Sequence, residues 1–589
     1  MKKKVISLLL ATSMLLGMTG CGSEAETTQT QGSDTKATQS SASETKSDDT
    51  AATQSGDTAE TTEKLDFGGQ VITWLIRDQQ VDPATGDSRM NYLYTIEMIE
   101  KELNVDIQWE VLDDDDAVLT KLTSGELPDL ISWKWNALYA EKGGIPGLYN
   151  DGICMDLTEM IETKMPNLQA VFEKHPNVAK DMKNSDGQYL YFQRINPLET
   201  VDDIMASTST GIIIRQDWLD NVGLDVPTDI ASWYEVLSAF KTMDPNGNGE
   251  MDEIPFDASA GGLMLFEAAF GMDAAQYIDP ATGKVEYGAR TQAYKAYLEE
   301  MHKWYSEGLV TNIYDGDTVN NKKDKDPGGS NENIGADLAG SWKGLSNANG
   351  KDFVKTLKEK KPEATITPCP WPATADGKVY SERTVSSVQA ETTLVTTDCD
   401  CIDAVAAVID WMYSEKGSEL ICWGEEGISF ERDAEGKRKL IYVTDPETGK
   451  DVTPKAELPY DKDGDGVNDL LDVYKMYGNT STYLPSYGCF DVNLATRDEW
   501  YTNSSKVWAE CNFDIRYPGA ITLSAEQADK VSVSNNQALF DYIAEMKKKF
   551  ITGEEPLSGF DNYVAQLETM GISDIVAVYQ EAYDEYMSR

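Results

Sequence analysis

Two short loops carry the residue types and spacing that most directly imply chemistry. Asp244, Asn246, Asn248 and Asp252 place oxygen side chains at positions 1, 3, 5 and 9 of a loop, with Gly249 at position 6 for a sharp turn. Alternate residues of such a loop can point their oxygens inward, and calcium takes about six to eight of them. Position 12, which is glutamate in an EF-hand, is Pro255. The second loop repeats the spacing with Asp461, Asp463, Asp465, Gly466 and Asp469. Its Val467 stands at the carbonyl position 7 and Asp472 at position 12, so it follows the EF-hand template more closely, with Asp replacing Glu. The same composition also makes ordinary surface turns. Structural calcium is the expectation for both, because a catalytic ion needs an open coordination position beside a substrate.

Other metal or nucleophile chemistry is thinly provided. His175 and His302 are the only histidines, so a zinc site or a Ser-His-Asp triad would have to use one of them. Cys399-Asp400-Cys401 has CxC spacing with no second pair or nearby histidine, so no metal is expected there. After Cys21 the cysteines are Cys154, Cys369, Cys399, Cys401, Cys422, Cys489 and Cys511, an odd number. Mostly isolated thiols fit a reducing habitat better than a disulfide framework. No GxSxG, HExxH or P-loop segment occurs. The abundant acids could supply a glycosidase pair, yet nothing marks two of them out.

The 589 residues include 101 acidic and 51 basic side chains, a formal charge of −50. That balance argues against nucleic-acid binding, which needs clustered Lys and Arg. Lys2, Lys3 and Lys4 precede an apolar run from Val5 to Leu16, the layout of a secretory signal too short to span a bilayer stably. Met18-Thr19-Gly20-Cys21 resembles a bacterial lipobox, in which Cys21 becomes the lipid-modified N-terminus. An ordinary signal peptide with an incidental Cys21 is the competing reading. From Gly22 to about Lys64 the chain is polar and free of aromatic residues, and is expected to be a disordered tether.

Beyond Lys64 the pattern changes to strands alternating with helices. Val71–Ile76 reads as a strand, Tyr92–Leu103 as a helix, Val105–Val111 as a strand, Ala117–Leu122 as a helix and Leu130–Trp133 as a strand. Asp113–Asp116 read as a solvated helix cap. This order implies a mainly parallel sheet covered on both faces, with ligands beyond the carboxyl ends of its strands. Gly211–Arg215 is a further strand. Ser232–Met243, Ala293–Tyr305 and Ala404–Tyr413 are further helices, and Ala525–Arg589 is helical with breaks at Gly553, Pro556 and Gly559.

Several stretches carry a resemblance. They are Leu122–Asp129 (LTSGELPD), Arg215–Leu224 (RQDWLDNVGL) with Pro227-Thr228, and Trp233–Leu237 running into Asp244–Gly249 and Asp252–Pro255. Trp304–Leu309 (WYSEGL), Tyr413–Ser418 (YSEKGS) and Gly424–Gly427 follow. In this order the chain resembles the substrate-binding lipoproteins of ABC importers, in particular the large oligosaccharide-binding type of Gram-positive bacteria.

The resemblance implies an α/β, two-lobed periplasmic-binding-protein-like fold (type II), with a hinge between lobes and a helical C-terminal region. Residues 65–207 with 336–402 would form the first lobe, and 208–335 with 403–589 the second. It implies a monomer, lipid-anchored at the extracellular face of the cell membrane, that passes an oligosaccharide to an ABC permease and its ATPase. It also implies that Glu253 and the Glu250 carbonyl join Asp244, Asn246, Asn248 and Asp252 around the first calcium. Sugar sites pair stacking aromatics with polar side chains. The ligand-binding candidates are therefore Arg77 and Asp78 after the first strand, Trp133 and Trp135 after the third, and Trp342, Trp371 and Trp423, although a single Trp is more often core. A surface glycoside hydrolase, or a sugar sensor or adhesin with the same fold, is the alternative.

Overall fold

The computed structural model describes residues 65–77, 90, 93–112, 114–207, 210–311, 334–340, 346–347, 357, 361–381, 387–441, 443–444, 451–452, 484–488 and 499–589. Cys21, Asp78, Trp342 and the whole second loop, from Asp461 to Asp472, lie outside these residues.

The first half opens with β1 (Gln70–Arg77), α1 (Tyr94–Leu103), β2 (Val105–Leu112), α2 (Asp115–Leu122), β3 (Leu130–Trp133) and β4 (Phe192–Ile195). Each segment forms for a local reason. Alternate residues of β1 are buried on opposite faces, Ile72, Trp74 and Ile76 on one and Leu75 on the other, so the strand is apolar almost throughout. In α1 the stripe Ile96, Ile99 and Leu103 is buried, and Asn104 ends the helix in the left-handed region at φ 53°. Asp114 caps α2 by accepting from the backbone N–H of Asp116 and Ala117, the role expected of the acidic run.

The second half begins with β5 (Thr210–Arg215), α3 (Ile230–Thr242), β6 (Ile254–Asp257), α4 (Gln292–Ser306), β7 (Val310–Thr311), β8 (Ile334–Gly340) and β9 (Ile366–Pro368). The chain then returns with β10 (Val388–Val395), α5 (Ile402–Tyr413), α6 (Glu415–Trp423) and β11 (Ser486–Tyr487). It ends in α7 (Glu499–Ala509), α8 (Ala525–Val531), α9 (Val533–Thr552), α10 (Phe560–Thr569) and α11 (Ile572–Ser588).

Two six-stranded sheets result. The first has the order β11-β4-β10-β3-β1-β2 and is parallel except for β10, which runs antiparallel to both β3 and β4. The second has the order β9-β5-β8-β6-β7, with the short strand Ser346–Asn347 paired to β8. Each sheet has its own core. One face of the first sheet buries Trp74, Ile99 and Ile409, and the other Leu75, Ile131 and Trp133. The second sheet joins Ile213, Trp218, Trp233 and Phe256 to Trp508, Phe550 and Phe560 of the C-terminal helices.

These pairings redraw the expected boundaries. Residues 334–340 and 366–368, expected mostly with the first half, hydrogen-bond to β5 and β6 in the second sheet. The helices at 402–423, expected with the second half, bury their apolar faces in the core of the first. Burial rather than sequence order decides both cases. In α5, Val405, Val408, Ile409 and Met412 form the buried stripe that covers β1.

Candidate functional site

Three features carry candidate chemistry, and the first two lie at the edge of the first sheet where its parallel strands converge their carboxyl ends. The first is a cluster at the ends of β1 and β3. The Arg77 guanidinium lies 5.3 Å from the Trp133 ring centre, and the Trp133 indole N–H donates to Asp115 Oδ1 at 2.8 Å. Lys134 pairs with Glu391 on β10 at 3.1 Å. Register places Trp133, Thr392 and Gln193 in one cross-strand row over β3, β10 and β4. Gln193 Nε2 and Thr392 Oγ1 are buried and have no hydrogen-bond partner among the described residues.

The second feature is a 450 Å³ cavity where the chain leaves β4 for the second half. The first half contributes Lys180, Asp181, Pro197, Glu199 and Ser387, and the C-terminal region contributes Phe513, Arg516 and Tyr586. Asp181 holds the two sides together, accepting from Ser387 Oγ at 2.7 Å and from Tyr586 OH at 2.6 Å. Burial and the Asp181 carboxylate keep the Tyr586 hydroxyl protonated well above its ordinary range. Lys180 Nζ stands 4.1 Å from the Tyr586 ring centre. Arg516 is fixed by the Ser381 carbonyl at 2.6 Å and by an ion pair with Asp273. Aromatic faces bordered by fixed donors and acceptors suit a polyhydroxylated ligand, which offers hydroxyls at its edge and C–H groups on its faces.

The aromatic candidates divide differently from expectation. Trp133 and Trp135 are fully buried in the core, Trp133 with the Arg77 guanidinium over its ring. Trp371 donates to the Trp508 carbonyl at 2.7 Å inside the second core. Trp423 packs 5.7 Å from Phe430, with Arg438 over its ring. All four rings are covered by protein in this structure, because large indoles complete the cores beneath the strand ends. Asp181, Phe513, Arg516 and Tyr586 were not singled out from the sequence, since none lies in a motif and their segments meet only on folding.

The third feature is the loop from Asp244 to Glu253, which joins α3 to β6. Asp244 adopts a left-handed φ of 47°, and its carboxylate accepts from the N–H of Asn248 and Gly249 at 3.1 and 2.9 Å. Asn246 Oδ1 accepts from Asn248 N, Asn248 Oδ1 from Glu250 N, and Asp252 Oδ1 from Asn248 Nδ2. Glu253 is only 5% exposed, and among the described residues its carboxylate receives no side-chain hydrogen bond, only the approach of its own backbone N–H and that of Asn246. Burial, with the Asp252 and Asp244 charges beside it, pushes its acid group up against the lowering effect of the Glu253 and Asn246 backbone N–H groups. A buried carboxylate among other carboxylates is costly unless a cation joins it, so these residues fit a hard divalent ion.

The cysteines were expected to be mostly isolated, and among the described ones Cys422 is disulfide-bonded. It lies in α6, which packs against the sequence-distant strand β11. Cys154, Cys369, Cys399, Cys401 and Cys511 are free.

The profile of the bacterial extracellular solute-binding protein family matches residues 87–419, more than half of the chain. The chain belongs to that family. Among curated relatives, this solute-binding protein is 25% identical over 512 residues to the fructooligosaccharide ABC transporter substrate-binding protein FusA of Streptococcus pneumoniae, covering 84% of this chain and 87% of FusA. The structure of FusA with kestose superposes with a TM-score of 0.58 at 22% identity, covering 88% of this chain and 100% of that one. An HMO-binding ABC-transporter-associated solute-binding protein of Bifidobacterium longum infantis gives a TM-score of 0.61 at 19% identity, covering 88% and 99%. The alginate-binding protein AlgQ2, solved without calcium ion, gives 0.57 at 18% identity, covering 89% and 99%. FusA has also been solved as an EF-hand mutant. These likenesses identify the fold as that of periplasmic-type binding proteins. Among the described residues no helix is long and apolar enough to cross a membrane.

Proposed function

We propose that this solute-binding protein captures an oligosaccharide between its two halves and delivers it, chemically unchanged, to an ABC permease driven by its ATPase. The observation that carries the reading is the 450 Å³ cavity walled by both halves, with Asp181, Arg516, Phe513 and Tyr586 fixed around it. Two cores meeting at a polar cavity suit closure around a ligand. Arg77 and the unpartnered Gln193 and Thr392 side chains would supply further polar contacts on the same edge of the first sheet.

The protein works as a monomer held at the outer face of the cell membrane through lipid on Cys21, and the acidic tether lets its folded body sample the surroundings. Calcium occupies the Asp244–Glu253 loop, held by Asp244, Asn246, Asn248, the Glu250 carbonyl, Asp252 and Glu253. The buried carboxylate of Glu253 supports this ligand set. The ion is structural, clamping the end of α3 to the start of β6.

The test is a panel of fructo-oligosaccharides, pectic fragments, milk oligosaccharides and N-glycan fragments, read by thermal shift and by product analysis. The expected result is saturable stabilisation by one class, with the sugar recovered intact and binding weakened at least tenfold in Asp181→Ala. Stabilisation by no member, or release of shortened sugar, refutes the reading.

A further inference from the structure

The CxC segment gains a third ligand that its own sequence does not contain. Because β10 runs antiparallel to β3, pairing Val395 with Leu130, the turn after β10 lies against the residues entering β3. The Thr396 N–H donates to the Asp129 carbonyl at 3.0 Å, and its hydroxyl donates to the Pro128 carbonyl at 2.7 Å. Cys399 and Cys401 follow in that turn, both buried and both reduced.

Their sulfurs are 4.0 Å apart, and Cys401 Sγ lies 3.4 Å from Asp129 Oδ1. All three ligating atoms lie within 4.8 Å of one another. The other oxygen of Asp129 is held by the N–H and the hydroxyl of Thr73, at 2.7 and 2.6 Å, which fixes Oδ1 toward the thiols. In a tetrahedral zinc site, bonds of about 2.3 Å to sulfur and about 2.0 to 2.2 Å to oxygen separate neighbouring ligand atoms by roughly 3.5 to 3.8 Å. The sulfur–sulfur spacing of 4.0 Å and the Cys401–Asp129 spacing of 3.4 Å are near that range before any ion is added. Cys401 also borders a 610 Å³ surface cavity with Met155, Glu159 and Asp400, from which water or a further donor can reach a fourth position.

We propose that Asp129, Cys399 and Cys401 bind a zinc-class divalent cation, with the fourth position open to this cavity. Two thiolates and one carboxylate select a softer ion than the all-oxygen Asp244–Glu253 loop does. On binding, the two thiols give their protons to solvent. The ion ties the entry to β3 to the N-terminus of α5, and the site shares no lining residue with the cavity walled by both halves.

The test uses the intact chain with the Cys422 disulfide left in place, stripped with chelator in oxygen-free buffer, and titrated with cadmium in excess calcium. Thiolate-to-metal charge-transfer absorption is the readout. The expected result is a band saturating at one equivalent, reversed by zinc, lost in the double variant Cys399→Ser/Cys401→Ser and weakened at least tenfold in Asp129→Asn. Circular dichroism checks each variant's fold, and the cysteine pair keeps the test decisive where Asp129→Asn disturbs Thr73. No band, or a band that persists in the double variant, overturns the proposal.

Discussion

Replacing Glu253 with glutamine should reverse the stability ranking of parent and variant according to calcium. Glu253 is 5% exposed, is approached only by backbone N–H groups among the described residues, and faces the charges of Asp244 and Asp252. Leaving a buried acceptor unpaired costs about 1–3 kcal/mol, and more when it is charged. Without metal, Glu253→Gln removes the charge at nearly constant volume and should recover about 1–3 kcal/mol.

With calcium present at about a thousand times its Kd, the parent gains about 4 kcal/mol by mass action, and the variant loses most of that gain with its ligand. Unfolding entropy is roughly 2 cal/mol/K per residue, so in a folded body of roughly 500 residues 1 kcal/mol shifts Tm by about 1 °C. Calorimetry should therefore place the variant about 1–3 °C above the parent in EDTA and below it in calcium. A parent Tm indifferent to EDTA, with a variant destabilised equally in both buffers, would refute the reasoning.

Two further outcomes are expected. Burial raises the acid group of Asp410 above its ordinary value of 3.8, against the lowering effect of its bonds from Leu168 N–H and the Asn167 amide. A raised folded-state acid stabilises most fully below the unfolded value, and that contribution is lost as pH rises through the folded one. Asp410→Asn should flatten this part of the stability profile, measured by urea unfolding from pH 4 to 7, and an unchanged slope would count against it. Gly211→Ala would set a Cβ 2.3 Å from ring atoms of the buried Trp508, so overpacking should cost about 1–3 kcal/mol. A midpoint in urea equal to the parent's would show that Trp508 can yield.

The local elements were legible because their causes are local. The buried stripe of α1, the Asp114 cap of α2 and the left-handed Gly553 ending α9 can each be read within a few residues. Oxygen spacing marked the Asp244 loop for the same reason. Burial was not legible in this way. A tryptophan after a strand reads alike whether it faces a cleft or a core, and Trp133, Trp135, Trp371 and Trp423 all complete cores.

By itself, the order of residues determined an acidic α/β body, its strands and capped helices, and one oxygen-lined loop, since each depends on neighbours along the chain. Only tertiary structure decided which sheet receives residues 334–340, that α5 covers β1, that Asp181 meets Tyr586, and that Asp129 faces Cys401 across 272 positions. Those outcomes depend on strand register and on which apolar faces bury each other. Register couples segments hundreds of residues apart, and no window of sequence contains both partners.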